Sequence, residues 1–323
     1  MEDLPIVDLS GLTAPGIPGP EALDAVAAMV GAAARGPGFF YVTGHGVPAD
    51  LIEEVFRRAG AFFALSREAK APLSIERSPH NRGYVGLLGE KLDTAKPADL
   101  KEAFNIGLDL SPDDPRLLAG EPFRGVNVWP DLPGFRETML AYYDAVWALG
   151  RLLHRAIARD LGLDAAYFDD KLDQPMAVLR LLHYPPHPAG AEAGQLGAGE
   201  HTDYGNLTLL MTDDVGGLEV RRRGGGWLKA PPIPGAFVCN IGDCLMRWSN
   251  DVYVSTPHRV LNAGGRERYS VAFFLDPNPD ALVSCLPGCA INEEAVRYPP
   301  VSVAEYLKQR LDATYDFRKS GAA

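Results

Sequence analysis

The sequence predicts a mainly β fold with a helical shoulder, an α+β chain built round an antiparallel sandwich or barrel. Three observations carry this reading. Past roughly residue 175, short apolar runs are separated by Gly, Pro, Asn and Asp turns, the pattern of strands joined by tight connections. The earlier part instead places apolar residues at helical spacing over three long stretches. No internal repeat or low-complexity linker separates the two parts. One compact unit is therefore expected from the 323 residues, a length that would also allow two ordinary domains.

Taken in order, Pro5 to Leu9 reads as a short strand. From Pro20 to Arg35, Leu23, Val26, Ala27, Val30 and Ala34 recur on one helical face, with Pro20 as the start and Gly36-Pro37 as the stop. Phe39 to Val42 is a second strand, ended by the turn Gly44-His45-Gly46. A helix follows from Ala49 to about Leu65, and Ser66 caps a further short one. The longest helix is predicted from about Gly134 to Leu161, with Phe135, Met139, Tyr142, Val146, Leu149, Leu153 and Ile157 along one stripe. The strand candidates of the second part are Ala177–Tyr184, Leu207–Thr212, Gly217–Val220, Ala236–Ile241 and Ser270–Leu275.

Composition narrows the partners. Apolar residues make up 46% and charged residues 23%, which excludes disorder, collagen and coiled coil as descriptions of the whole. A formal charge of −11 leaves no basic surplus to neutralise a polyanion, so a nucleic-acid partner is not expected. Arg221, Arg222 and Arg223 do not alter this, because Gly224 to Gly226 beside them mark a solvated hairpin end. The start is acidic, and no basic segment with a long apolar run follows it. Nor does any stretch offer the roughly 18 uncharged apolar residues of a spanning helix. A cytoplasmic, monomeric protein with no membrane partner is expected. Cys239 and Cys244 fall in an apolar strand-like run, and Cys285 and Cys289 flank a turn. Four cysteines so placed read as ordinary thiols, since their spacings match no common zinc site.

The chemistry lies elsewhere. In Glu200-His201-Thr202-Asp203, residues two apart on an extended chain point to one side, so the His201 imidazole and the Asp203 carboxylate converge. His258, one or more strands later, offers a second imidazole. Two histidines and one carboxylate on one face of an octahedron leave three open positions, the arrangement of non-haem Fe(II) oxygenases. The plainer alternative is a hydrogen-bonded His–Asp pair with His258 elsewhere. Ten residues past His258, Arg268 and Ser270 are again two apart in a strand-like run and should face the same interior. A buried arginine needs an anion, and a bound dicarboxylate would supply one. The alternative is that Arg268 reaches the surface in a salt bridge.

The order His201-Thr202-Asp203, His258, Arg268-Tyr269-Ser270 resembles the Fe(II)/2-oxoglutarate-dependent oxygenases of the isopenicillin N synthase-like group. Further stretches carry the same resemblance: Asn240 to Leu245, Trp248-Ser249-Asn250, Ser255 to Val260, Pro5 to Leu9, and Gly38 to Val42 through His45-Gly46-Val47. The resemblance implies a double-stranded β-helix (jelly-roll) core over 175–280. It also implies an N-terminal mixed helical region over 1–120, with the long helix and C-terminal tail packed on the same unit. It makes His201, Asp203 and His258 the Fe(II) ligands and catalytic centre, and Arg268 with Ser270 the clamp on the distal carboxylate of 2-oxoglutarate. Tyr184 would contact cosubstrate or substrate. Leu182 departs from the pattern, since many plant members carry an asparagine there, and its polar contact would be absent.

The implied reaction consumes O2 and 2-oxoglutarate, releases succinate and CO2, and oxidises a small-molecule C–H bond, with hydroxylation as the first expectation. Arg82, Tyr84 and Glu90 are the substrate-pocket candidates, in a part of the helical shoulder (Asn81 to Glu90, with Lys101 to Gly107) that often covers the barrel mouth in this group. For each of them an ordinary surface loop is the alternative. Two other functions compete. One is a 2-oxoglutarate-independent iron oxidase or cyclase like isopenicillin N synthase, and the other a non-catalytic jelly-roll binder of a small molecule or zinc.

Overall fold

The computed structural model describes residues 3–14, 19–187, 194–262 and 265–314. Twelve strands build the site. The first six are β1 (Ile6–Asp8), β2 (Phe39–Thr43), β3 (Gly83–Val85), β4 (Glu102–Gly107), β5 (Val178–Tyr184) and β6 (Ala198–His201). The others are β7 (Leu207–Thr212), β8 (Leu218–Arg221), β9 (Trp227–Lys229), β10 (Phe237–Ile241), β11 (His258–Val260) and β12 (Arg268–Leu275). They form an eight-stranded sheet in the order β1-β2-β10-β7-β12-β5-β4-β3 and a four-stranded sheet in the order β6-β11-β8-β9. All pairings are antiparallel except β1 with β2. The two sheets share a cavity, as expected of a jelly roll.

Both faces of the large sheet are buried, which is why its strands read as nearly continuous apolar runs. One face packs on three helices: α1 (Pro20–Arg35), α2 (Ala49–Phe63) and α3 (Phe135–Asp160). Phe104, Leu181, Val271, Leu209 and Cys239 lie on that side. The opposite face carries Ala103, Leu182, Ala272 and Val238 and looks into the cavity. Alternation along each strand therefore sorts side chains between a dry helical core and a wall open to ligand. Ser66 caps the short helix Arg67–Lys70, its side chain accepting from the Ala69 N–H.

Two expectations need correction. The segment around Arg82 to Glu90 and Lys101 to Gly107 is not part of the helical shoulder: it supplies β3 and β4, which extend the large sheet beyond β5. Gly83, Val85, Ala103 and Phe104 suit a pleated, buried surface, and pairing with Val178 to His183 of β5 decides it. Cys244 is not in a strand either. Gly242 ends the run, and Cys244 lies in α4 (Asp243–Trp248), while Cys239 stays on β10. All four cysteines are free thiols. The last helix, α5 (Val303–Thr314), places Leu307 and Leu311 at the cavity. No helix among the described residues is long and apolar enough to cross a membrane.

Candidate active site

The two histidines come from adjacent strands of the small sheet. His201 ends β6, His258 begins β11, and they are direct register partners, with ring centroids 4.3 Å apart. Each ring is oriented by its own backbone: His201 Nδ1 lies 2.8 Å from the Gly199 carbonyl oxygen and His258 Nδ1 lies 3.2 Å from that of Thr256. A neutral imidazole that donates Nδ1–H to a carbonyl carries its lone pair on Nε2. Both Nε2 atoms face Asp203 Oδ1, at 3.8 Å from His201 and 3.7 Å from His258.

Asp203 lies beyond the end of β6, in the turn to β7, and the large sheet holds it. Its Oδ2 accepts from Thr208 Oγ1 (2.6 Å) on β7 and from Asn240 Nδ2 (2.8 Å) on β10. Thr208 and Asn240 are register partners, so their side chains reach the same oxygen from neighbouring strands. Oδ1 is left for the histidines. One candidate ligand atom from each of the three residues lies within 4.8 Å of the others. The turn is also tied to α4: Asp243 N–H donates to Asp203 O (2.7 Å), and Thr202 Oγ1 donates to Asp243 Oδ2 (3.0 Å). A Cβ at Gly242 would overlap the Gly205 carbonyl, so only glycine lets these two segments meet.

The electrostatics prepare a cation site. Burial and the neighbouring His258 hold the His201 imidazole well below the usual histidine range, so it stays neutral and offers a lone pair. Burial pushes the Asp203 carboxyl up, but His258, His201 and the Asn240 and Thr208 donors outweigh it. Its affinity for a proton ends below the usual carboxylate value. Two imidazoles and an ionised carboxylate form the donor set.

Elsewhere on the cavity wall, Arg268, only 1% exposed, donates from Nε to the Gly216 carbonyl (2.6 Å) and from Nη1 to Ser270 Oγ (3.2 Å). Its guanidinium lies 4.7 Å from the centroid of the Tyr184 ring, on the register partner across β5. No carboxylate pairs with Arg268 among the described residues. Leu182, opposite Ser270, makes the wall apolar where an asparagine would have been polar.

The three pocket candidates divide. Arg82 and Glu90 line the cavity. Glu90 pairs with Arg180 (2.6 Å) and Lys101 (3.4 Å), and Lys101 with Asp99 (2.6 Å). Asp99 in turn accepts from the Gly199 N–H (2.9 Å), coupling this wall to the strand that carries His201. Tyr84 is not at the cavity. Strand alternation turns it to the helical side, where its ring meets Phe62 and its hydroxyl donates to Glu102.

The sequence reading passed over Thr208, Asn240, Arg180, Asn105 and Asp276, all of which line the cavity. A signal existed for two of them. Thr208 and Asn240 are lone polar residues inside otherwise apolar strands, a placement that calls for a buried partner. Asp276, just past β12, accepts from the Asn206 N–H (3.2 Å), and burial pushes its carboxyl up to about 7. Arg310 of α5 pairs with Asp243 and lies over the Tyr204 ring at 4.7 Å.

Comparison with known proteins agrees with this geometry. A family model described as non-haem dioxygenase in morphine synthesis, N-terminal, matches residues 4–132, and the 2OG-Fe(II) oxygenase superfamily model matches residues 175–277. A 2-oxoglutarate-Fe(II) type oxidoreductase of Emericella nidulans is 39% identical over 284 residues, covering 86% of this chain and 81% of that one. A homoarginine-6-hydroxylase of Oryza sativa subsp. japonica is 38% identical, covering 95% of this chain and 96% of that one. A full-length Neurospora crassa protein, crystallised with alpha-KG and thymine, superposes with a TM-score of 0.85 at 35% identity, covering 97% of each chain.

Proposed function

The chain belongs to the 2OG-Fe(II) oxygenase superfamily, and from that premise we propose that His201, Asp203 and His258 hold Fe(II) while Arg268 and Ser270 hold the distal carboxylate of 2-oxoglutarate. It is a dioxygenase that oxidises a small molecule at the expense of 2-oxoglutarate and O2, with hydroxylation of a C–H bond as the proposed outcome. The observation that carries the residue assignment is a buried arginine with no carboxylate partner among the described residues, in the same cavity as two imidazoles and an ionised carboxylate. Charge supports the fit. The positive charges of a ferrous ion and Arg268 are cancelled by the negative charges of Asp203 and a 2-oxoglutarate dianion, so these four groups together carry no net charge.

When bound, the ferrous ion supplies the O2 chemistry that couples release of succinate and CO2 to oxidation of the substrate. The protein's own side chains position and exclude. Thr208 and Asn240 fix the carboxylate rotamer, and the Gly199 and Thr256 carbonyls fix the imidazoles. The Tyr184 ring, 4.7 Å from the Arg268 guanidinium carbon, holds the planar fork in place. Leu307 and Leu311 of α5 cover an edge of the cavity against water.

Arg82 and Glu90 are proposed to face the substrate, a polar metabolite small enough to enter. The relatives support a small molecule without agreeing on which, since one is named for homoarginine and another was crystallised with thymine. The acidic charge supports a free metabolite in preference to a nucleic-acid polymer, and a cytoplasmic monomer with no membrane partner is part of the same reading. Static light scattering checks the oligomeric state.

The test is anaerobic visible spectroscopy with Fe(II) and then 2-oxoglutarate added, followed by succinate measurement in air. A charge-transfer band that needs both additions, and succinate formed in step with 2-oxoglutarate loss, is the expected result. Bound iron without that band would favour an oxidase that grips its substrate with Arg268. Failure to bind iron would overturn the ligand assignment.

A further inference from the structure

The inward positions of β12 form one row along the cavity. Arg268, Ser270, Ala272 and Phe274 all line it, and Asp276, just past the strand, is the next residue of that parity and lines it too. Thr208, which holds Asp203, is the register partner of Phe274. Asp276 therefore lies one inward position, about 7 Å, beyond the level at which Asp203 is held, at the end of the row away from Arg268. The row is roughly 25 Å long, so a five-carbon cosubstrate clamped at Arg268 leaves the Asp276 end to the substrate.

The Asp276 carboxyl occupies a fitted place. The residue is 8% exposed, and its Oδ1 accepts from the Asn206 N–H (3.2 Å). A Cβ on Gly205 would overlap that oxygen, so glycine at this position makes the room it fills. Oδ2 receives no donor among the described residues and is open to the cavity. No lysine, arginine or histidine pairs with the carboxyl among the described residues, and the charged group that acts on it is Asp203, of like sign.

A substrate that fills this end of the cavity takes Oδ2 away from water and must supply a donor in its place, because a buried acceptor left unpaired is costly. A hydrocarbon offers none. A carboxylate or phosphate would bring a further negative charge against Asp276 in a buried setting. A hydroxyl or carboxamide would make the bond but leave the charge of the carboxylate unbalanced. A protonated amine, amidine or guanidine does both, and Phe274 at the adjoining inward position adds an aromatic surface that favours a cation.

We infer that the substrate carries a cationic nitrogen group, an ammonium, amidinium or guanidinium, whose N–H donates to Asp276 Oδ2. The premise is that the cavity is the substrate site of a 2-oxoglutarate oxygenase, and within that site Asp276 sets the substrate class.

Three planar probes of one size test it by isothermal titration into the anaerobic Fe(II)–2-oxoglutarate complex: benzamidinium, benzamide and benzoate. The titrations are run at pH 8, above the value of about 7 to which burial raises the Asp276 carboxyl. Benzamidinium should bind at least about tenfold more tightly than either of the others. Asp276→Asn, which keeps an oxygen for the Asn206 N–H, should bring benzamidinium and benzamide within about threefold of each other. Equal binding of benzamide or benzoate by the unaltered protein would overturn the inference. So would an absence of benzamidinium binding at millimolar concentration, or an unchanged ratio in Asp276→Asn. The charge-transfer band, recorded on the same samples, separates the two levels. Its presence with no preference for the cation rejects the substrate class alone, and its absence from the unaltered protein rejects the functional reading beneath it. A band lost only in Asp276→Asn would tie the carboxyl to the iron centre and also reject the substrate role.

Discussion

Replacing Arg268 by methionine removes the guanidinium while filling much of its volume. In the ligand-free protein the losses are one hydrogen bond to Gly216, one to Ser270 and the stack on Tyr184. These amount to about 1 kcal/mol for each neutral contact and a similar amount for the stack. They are opposed by relief from burying a cation that no carboxylate among the described residues balances. Stability without ligand should therefore change by no more than about 1–2 kcal/mol. With 2-oxoglutarate the comparison is different. Two charge-assisted hydrogen bonds to a carboxylate contribute roughly 1.5–3 kcal/mol each, and losing them should weaken binding about 10²-fold or more. Arg268→Lys keeps the charge without the planar fork and should fall between, at about tenfold. The assay is calorimetric titration of 2-oxoglutarate into Mn(II)-substituted protein, with succinate formation measured on the Fe(II) form. An apparent constant for Arg268→Met within about threefold of wild type would refute the clamp and return Arg268 to a structural role.

Other expectations follow from the same geometry. His201→Ala and Asp203→Ala should abolish iron binding and turnover while the circular dichroism spectrum stays native, and retained turnover would remove these residues from the metal site. Tyr84→Phe should leave the 2-oxoglutarate and substrate constants unchanged, because the ring faces the helical core. It should cost about 1 kcal/mol in urea denaturation through the lost bond to Glu102; altered substrate constants would contradict that placement. The Asp276 carboxyl, pushed up to about 7 by burial and then by Asp203, binds its proton more tightly in the folded chain than in the unfolded one. The stability it contributes is therefore full below the ordinary carboxylate value and is lost as pH rises through about 7. Asp276→Asn retains an oxygen for the Asn206 N–H and removes that dependence. Between pH 5 and pH 8 the metal-free wild type should lose roughly 2–3 kcal/mol relative to the variant, a difference in which the other titrating groups cancel. Parallel pH profiles for the two proteins would show that Asp276 is not the group responsible.

Much of the architecture was legible from period alone. The stripe from Phe135 to Ile157 became one helix, Phe135–Asp160, and the run Leu207–Thr212 became a strand with those bounds. Such elements are long enough for local spacing to outweigh context. β6 and β11 were harder to see. They have four and three residues, and β6 mixes alanine, glycine, glutamate and histidine. Pairing with each other and with β8 makes them strands, and pairing is a long-range event. The charged segment from Asn81 to Gly107 looked like a cover over the barrel for the same reason, until its register against β5 made it sheet.

His201, Asp203, His258, Arg268 and Ser270 could be picked out from spacing because extended chains repeat every two residues, a property each strand carries with it. Parity does not say which face is which. Tyr84 and Arg82 look equivalent in the sequence, yet the register of β3 on β4 turns Tyr84 to the helical side, whereas Arg82 precedes the strand, between Asn81 and Gly83 at positive φ, and lines the cavity. The same holds for Thr208 and Asn240, thirty-two residues apart, which meet on one carboxylate oxygen only because β7 and β10 pair. The sequence by itself determined the long elements and the chemical groups. The tertiary structure decided which groups share a cavity and which atoms within it lack a partner, because face and register depend on contacts between strands far apart in the chain.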